Sequence, residues 1–180
     1  MAARAARAVA ARLASTGTLS LLGYLGLALT SGVVAGIAIN TAHELGHKKD
    51  KLERWLSKIA LAQTFYGHFS IEHNRGHHVS VATPDDPASS RLGETFWRFL
   101  RRSVVGGLRS AWRLERRRLT RRNGSVWTIR NDVLNAWLMS AVLCAALIVA
   151  FGPRVIPFLL IQAVFGFSLL EVVNYIEHVA

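Results

Sequence analysis

Three long apolar runs constrain the fold of this chain more than any other feature. Residues 19–39 contain no charged side chain. At about 1.5 Å of rise per residue, a helix of that length is roughly as long as the hydrocarbon core of a bilayer is thick. Two similar runs follow near the end of the chain, joined only by "GPR", which favours a tight turn. We therefore predict membrane-spanning helices at 19–42, 133–151 and 155–177.

Charge gives these spans an orientation. The chain has 180 residues, 51% of them hydrophobic, and a formal net charge of +11, which is too apolar for a disordered polycation and too basic for an ordinary soluble domain. Of its 22 Lys and Arg residues, 18 lie between Lys48 and Arg130. Because Lys and Arg near span ends mark cytoplasmic loops, we expect region 43–132 to be cytoplasmic. Residues 1–18 are expected to be a basic N-terminal segment.

The predicted fold class is therefore an all-α integral membrane protein, with three transmembrane helices and a long basic cytoplasmic helical loop. Three spans argue against the alternative that the arginines bind nucleic acid. Within the loop an apolar residue recurs at every fourth position, with arginines mostly between. The row is Phe96, Leu100, Val104, Leu108 and Trp112. It predicts a basic amphipathic helix on the inner leaflet, weakened by Gly106 and Gly107, with a solvated charged helix as the alternative.

Small and aromatic residues predict how the spans are placed. Gly32 and Gly36 form a G-x-x-x-G pattern in the first span, which is typical of a packing face against another helix. Trp55, Trp127 and Trp137 lie near the span ends. Tryptophan prefers the membrane–water interface, so we expect these three side chains to act as interface anchors.

Six of the seven histidines lie on one predicted side of the membrane. They are His43, His47, His73, His77, His78 and His178. Three spans bring the end of the last back to the side where the first ends, so all six can converge at one depth. Four residues turn an α-helix by roughly 400°, so His73 and His77 project from one face about 6 Å apart, as do His43 and His47. His78 lies about 100° further round, free to reach a second metal.

Imidazoles in this number and spacing predict a metal centre. Six exceed the three protein ligands of a catalytic zinc, so two metal ions are the simpler account. Neutral imidazole suits iron, zinc and copper, and the ligand type alone leaves the metal open.

Polar residues near the histidines are candidates for orienting the imidazoles through hydrogen bonds. They are Glu44, Glu72, His68, Asn40, Glu171 and Asn174. For Glu171 a simple interhelical hydrogen bond is an equal alternative, and for His68 packing between aromatic residues is favoured over ligation. In "TPDDPASS" the prolines stop the helix and Asp85 and Asp86 favour a turn, and we assign neither aspartate to catalysis.

Two other functions fit part of the pattern. "HELGH" matches the H-E-x-x-H motif of zinc proteases, with His43 and His47 as ligands and Glu44 as general base. That interpretation leaves "EHNRGHH" unexplained. A non-enzymatic membrane segment that packs, or forms a homo-oligomer, without metal is the second alternative.

Three stretches carry a resemblance to a known family. They are "HELGHK", "GHFSIEHNRGHHVSVATPDDPASSRLGETFWRF" and "NYIEH". They resemble the membrane-bound alkane monooxygenases, within the wider histidine-box family that includes xylene monooxygenase and the fatty acid desaturases. The similarity runs from about Asn40 to His178, and its middle block is long and highly specific.

The resemblance implies a non-haem centre of two iron ions, held by the six histidines named above. It implies an enzyme that uses O2 to hydroxylate the terminal carbon of n-alkanes to primary alcohols, with electrons from rubredoxin and rubredoxin reductase. A basic face suits an acidic electron carrier, and the substrate would enter from the lipid bilayer. A fatty acid desaturase or a xylene monooxygenase-like enzyme shares this chemistry and stays open as an alternative.

The resemblance also implies a larger bundle of the six-span kind, in the inner membrane of a bacterium, with the metal site facing the cytoplasm. In the family, further spans precede the equivalent of Leu19, and Tyr-Gly and another histidine box follow the equivalent of "NYIEH". We therefore expect this chain to be an internal piece of the enzyme, without the box that completes the ligand set.

Overall fold

Helices form every regular element in residues 2–46 and 50–178, the part of the chain that this computed structural model describes. In chain order they are α1 (Ala2–Ser15), α2 (Leu21–Gly46), α3 (Lys51–Ala62), α4 (Phe69–Glu72), α5 (His78–Ser80), α6 (Phe96–Thr120), α7 (Asp132–Phe151) and α8 (Val155–Glu177). A π-helical turn, His73–His77, joins α4 to α5. The prediction of an all-α protein is confirmed.

Within residues 2–46 and 50–178, three helices are long and apolar enough to cross a membrane, as the sequence predicts. They cover Leu21–Thr41, Asp132–Phe151 and Val155–Glu177. In α8, 44% of the most apolar window is buried inside the protein, against 28% in α2 and 11% in α7. α8 is therefore the central span, and α7 turns most of its surface outward.

The tight turn predicted from "GPR" forms between α7 and α8. Gly152 ends α7 with φ 79°, a left-handed conformation that glycine adopts without strain.

Near the start of α8, the alanines Ala10, Ala11 and Ala14 of α1 are buried in a cluster with residues of α2 and α8. Because alanine side chains are small, they allow α1 to approach the two spans closely.

α2 and α8 pack closely through glycine. A Cβ added to Gly32 would lie 2.9 Å from Cδ1 of Phe165, and one added to Gly36 would lie 3.2 Å from the carbonyl oxygen of Gly166. The contacts advance in the same direction along both helices, so α2 and α8 run parallel and end on the same side. This is the packing face that the G-x-x-x-G pattern predicts.

The predicted amphipathic helix forms as α6, but its most buried row differs from the predicted one. Phe99, Ala111 and Leu119 are 0–3% exposed. The predicted row, from Phe96 to Trp112, lies beside them and is only half-buried. α6 packs against α4, the π-helical turn, α7 and α8. Its most buried face therefore covers the histidine segment, and the placement of α6 on the inner leaflet stays a prediction.

Gly106 and Gly107, which are expected to weaken this helix, do not interrupt α6. A Cβ added to Gly106 would lie 2.8 Å from Cβ of Pro87, and one added to Gly107 would lie 3.9 Å from Cγ of Glu72. Since tertiary packing supplies most of the stability of a helix in a protein, the close approach offsets the poor helix propensity of glycine. The two glycines bring α6 close to the segment that carries the histidines.

We expect Gly32→Ile to destabilise the protein by about 1–3 kcal/mol, because the added side chain overlaps Phe165 at the contact between α2 and α8. Gly26→Ile is the matched control in the same helix, since nothing lies within 4 Å of a Cβ added to Gly26. Thermal unfolding in detergent micelles measures both variants. Equal unfolding temperatures would contradict the parallel packing of these spans.

Candidate metal centre

A π-helical turn sets the positions of three histidines. The backbone N–H of His78 donates to the carbonyl of His73, five residues earlier. This wider turn brings residues five apart onto one face, and the ring centroids of His73 and His78 are 4.5 Å apart. The expectation of a regular α-helix with His78 turned away is therefore wrong. Single π-helical turns of this kind occur frequently at functional sites.

The cluster consists of His73, His77, His78 and His178. Ring centroids are 5.0 Å apart for His73 and His77, and 4.7 Å apart for His77 and His178. His73 and His77 are buried, His178 is half-buried and His78 is exposed. The structure thus brings together imidazoles from the helical segment 69–80 and from the end of α8, and the cluster opens to solvent at His78.

Two further predicted ligands, His43 and His47, come from the stretch that follows the first span in the sequence. His47 lies outside the described residues, as do the side chains of His43 and Glu44. The backbone of His43 continues α2 on the side of the bundle where His178 follows α8. Asn40, in the last turns of α2, is exposed.

The four rings are neighbours, but they do not form a complete metal site as they stand. Among the side chains that the structure describes, no three His, Cys, Asp or Glu residues have the arrangement that a metal ion needs. The rings of His73 and His77 lie at 24° to each other, close to stacked. Assignment of these histidines as metal ligands stays a prediction.

Asp86 holds His77. Nδ1 of His77 donates to Oδ2 of Asp86 over 2.8 Å, and both side chains are buried. Burial alone would lower the pKa of His77, but the hydrogen bond and the charge of Asp86 outweigh it, so that the pKa of His77 is raised. Because Nδ1 carries the hydrogen toward Asp86, the neutral ring keeps its lone pair on Nε2, the atom that would face a metal.

The Asp86 carboxylate is held in turn by its own loop. Oδ2 also accepts from Oγ of Ser89 at 2.5 Å, and Oδ1 accepts from the backbone N–H of Ala88 at 3.0 Å. Burial raises the pKa of Asp86, but these bonds and the one from His77 outweigh it, and the pKa is lowered below its ordinary value. Asp86 therefore remains a carboxylate that accepts from His77.

The turn predicted at Asp85 and Asp86 is present, and the contact of Asp86 with His77 is an additional role that the turn motif does not predict. The turn forms, but the side chain points inward to His77 while Asp85 is exposed. A signal was present in the sequence: an aspartate between Pro84 and Pro87 lies in a fixed turn nine residues after His77. Its partner could not be found from spacing, because the direction of the loop is a tertiary property.

The same loop also holds the end of α8. The backbone N–H of Ser90 donates to the carbonyl oxygen of His178 at 2.7 Å, and its hydroxyl donates to the same oxygen at 3.0 Å. The hydroxyl of Tyr175 donates to the carbonyl oxygen of Glu94. Residues 86–94 therefore fix His77 and His178 relative to each other.

Two buried glutamates lie next to the cluster. Glu72 is 3% exposed, and burial together with the nearby charge of Asp86 raises its pKa to about 7. Glu171 of α8 accepts from the hydroxyl of Tyr66 at 2.7 Å and from Nδ2 of Asn174 at 3.4 Å. Oε1 of Glu72 and Oε2 of Glu171 make no hydrogen bond within the described residues. A cavity between them has room for about one water molecule.

His68 is separated from the four clustered rings. It is 5% exposed, and its ring lies 4.7 Å from that of Tyr66 with the two planes at 70°. Burial lowers its pKa to about 4, so the ring is neutral near pH 7. Its contact with an aromatic ring agrees with the packing role that the sequence favours.

A buried carboxylate anchors the π-helical turn to its neighbours. Arg75, within the turn, donates to Oε1 of Glu115 on α6 and to Oδ2 of Asp132 at the start of α7. Glu115 is 0% exposed and also accepts from Arg118 and from the backbone N–H of Asp132. Burial raises the pKa of Glu115, but these bonds outweigh it and lower the pKa. The ion pairs tie the histidine segment to α6 and α7.

Membrane-spanning helices and buried histidines beside carboxylates define an integral membrane protein with a candidate metal centre. The family model described as fatty acid desaturase matches residues 19–180, and the chain belongs to that family. The family resemblance of the histidine motifs is thereby confirmed.

The chain is also similar to individual monooxygenases. The chain is 49% identical over 174 residues to an alkane 1-monooxygenase of Pseudomonas putida and, over the same length, to alkane 1-monooxygenase 1 of Alcanivorax borkumensis. Each alignment covers 97% of this chain and 43% of the relative. Identity to the xylene/toluene monooxygenase hydroxylase component XylM of Pseudomonas putida is 27% over 156 residues, 86% of this chain and 41% of that protein. The chain thus spans less than half the length of these relatives.

We expect Asp86→Asn to lower the pKa of His77 by about one to three pH units, because the burial that disfavours imidazolium then loses the opposing carboxylate. Nitrogen-15 NMR titration of the metal-free protein in micelles measures this pKa and the tautomer. Asp85→Asn is the matched control, since Asp85 is exposed and one residue away. An unchanged His77 pKa in Asp86→Asn would show that the carboxylate does not hold the ring.

Proposed function

We propose that this chain is part of a membrane di-iron monooxygenase that hydroxylates the terminal carbon of n-alkanes to primary alcohols with O2. The observation that carries the proposal is the cluster of four imidazoles, one of them oriented by a buried carboxylate. The 49% identity to two alkane 1-monooxygenases supports the choice of substrate class and reaction.

The ligands that we propose for two iron ions come from three segments of the chain. They are His43, His47, His73, His77, His78 and His178. Two observations fit a metal here. The bond from His77 to Asp86 leaves Nε2 as a lone-pair donor, which is the usual arrangement of a metal-bound imidazole. Glu72 and Glu171 each have a buried oxygen that makes no hydrogen bond within the described residues.

Bound iron would supply the activation of O2 that hydroxylation of an unactivated C–H bond requires. The chain's own residues would orient the ligands, exclude water and handle protons. Asp86 keeps His77 in one tautomer, and Ser90 holds the backbone at His178. A carboxyl group with a pKa of about 7, as in Glu72, can take up and release a proton near neutral pH.

The substrate is proposed to arrive from the bilayer along the spans. α7 exposes most of its apolar surface, and the carbonyl ends of α2 and α8 lie on the side where the histidines cluster. An alkane dissolved among lipid chains can therefore approach along an apolar surface without crossing water.

Electrons are proposed to come from rubredoxin, reduced by rubredoxin reductase, on the cytoplasmic side of a bacterial inner membrane. The basic loop supports this orientation through the distribution of Lys and Arg near the span ends. Exposed arginines on α6, such as Arg98, Arg101 and Arg109, would attract an acidic carrier and speed encounter.

The desaturase family name supports a second candidate, desaturation of an acyl chain. Product analysis separates the two: an n-alkane converted to a primary alcohol supports the hydroxylase, and an acyl chain that gains a double bond supports the desaturase. The zinc-protease alternative uses only His43, Glu44 and His47 and gives the cluster around His77 no role.

In the whole enzyme of which we propose this chain is part, we expect His77→Ala to lose most of the bound iron and hydroxylase activity, because the substitution removes both a proposed ligand and the partner of Asp86. Asn74→Ala is the matched control, from an exposed position in the same π-helical turn. Elemental analysis of protein purified in detergent gives the metal content, with about two irons per intact site expected. Zinc in place of iron, or unchanged iron in His77→Ala, would contradict the proposal.

A further inference from the structure

A basic pocket lies where α6 ends and α7 begins, apart from the histidine cluster. Its polar lining consists of Arg118, Arg122, Ser125, Thr128 and Arg130. The cavity has a volume of about 180 Å³, many times the roughly 10–15 Å³ that one water molecule needs on the same measure. The lining residues include no Asp or Glu. The pocket is large enough for a polyatomic anion.

The pocket carries unbalanced positive charge. Arg118 is paired with Glu115 at 2.6 Å and lies 3.7 Å from Asp132, so its charge is compensated. Arg122 and Arg130 are exposed and form no ion pair with a carboxylate among residues 2–46 and 50–178. Two guanidinium groups are therefore available to an anion, and guanidinium matches phosphate oxygens in a bidentate geometry.

The two hydroxyl groups are suited to donate to the same anion. Oγ of Ser125 accepts from the backbone N–H of Trp127 at 3.2 Å, and Oγ1 of Thr128 accepts from the backbone N–H of Arg130 at 3.4 Å. A hydroxyl that already accepts still has its own hydrogen to donate. The pocket therefore offers two kinds of hydrogen-bond donor to phosphate oxygens, guanidinium groups and hydroxyl groups.

The tryptophans beside this pocket indicate how deep it lies in a membrane. The ring of Trp112 lies 5.4 Å from that of Trp127 and 6.3 Å from that of Trp137, the latter at 12°. Tryptophan concentrates at the level of the lipid headgroups. Arg130 comes two residues before α7, and the side chains of Trp127 and Ile129 beside it are 76% and 82% exposed. The basic pocket therefore lies at the headgroup level, next to exposed apolar side chains.

We infer that this pocket binds the phosphate group of an anionic phospholipid, such as phosphatidylglycerol, in the leaflet on the loop side of the membrane. Arg122 and Arg130 contact the phosphate, and Trp127 and Ile129 lie against the acyl chains. Basic pockets at the ends of membrane spans recognise anionic headgroups in this way. Binding holds the connection between α6 and α7 at the bilayer surface, and it does not depend on the proposed metal or reaction.

Native mass spectrometry of the purified chain in non-ionic detergent tests the site. The chain should retain phosphatidylglycerol in preference to phosphatidylcholine at equal concentration. Replacing both Arg122 and Arg130 by Gln should weaken phosphatidylglycerol binding roughly tenfold or more, because each basic residue near anionic lipid contributes several-fold to affinity. Replacing Arg98 and Arg101 by Gln is the matched control, with the same loss of charge from exposed positions at the other end of α6.

Two results would show that the pocket does not bind this lipid: unchanged phosphatidylglycerol affinity in the Arg122 and Arg130 variant, or equal retention of phosphatidylcholine. An equal loss of affinity in the control variant would also overturn the site, because it would assign binding to net charge. Displacement of the lipid by an equimolar amount of inorganic phosphate would assign the pocket to free phosphate instead. Circular dichroism checks helix content. If the double variant unfolds, Arg122→Gln alone, which changes one exposed side chain, makes the same comparison.

Discussion

The arrangement of the histidines depends on one buried carboxylate. Asp86 is 1% exposed, and an anion in such a place is stable only when its oxygens accept hydrogen bonds. His77, Ser89 and the backbone N–H of Ala88 supply those bonds, so His77 and the loop stabilise each other's positions. Since Ser90 of the same loop binds the carbonyl oxygen of His178, a short loop joins two histidines that are far apart in sequence.

The membrane-spanning helices could be predicted because a bilayer imposes a length and a composition that the sequence displays directly. Runs without charged residues predict the spans, and Gly32 and Gly36 predict the face of α2 that packs on α8. The parallel direction of α2 and α8 follows from the number of spans. These features depend on local composition or on simple parity, and neither requires knowledge of how distant side chains meet.

The remaining features depend on tertiary contacts that periodicity does not contain. A shift of one backbone hydrogen bond makes the π-helical turn and moves His78 onto the face of His73, although the histidine spacing is unchanged. α6 has two neighbouring rows of apolar side chains, and either row could be buried. The row that contains Phe99 is the more buried one, because that face of the helix packs against the histidine segment. Glu115 looks like one charge in a run of arginines, yet it is fully buried because Arg75, Arg118 and the N–H of Asp132 all reach it.

The central claim is that imidazoles from the π-helical turn and from the end of α8 bind a common metal centre. Iron K-edge X-ray absorption of the iron-loaded protein, compared with the variant His178→Ala, measures this most directly. The account predicts a spectrum dominated by imidazole scattering, which decreases in the variant while the protein remains helical. A spectrum that is the same in both proteins, or one dominated by carboxylate or thiolate ligands, would contradict it.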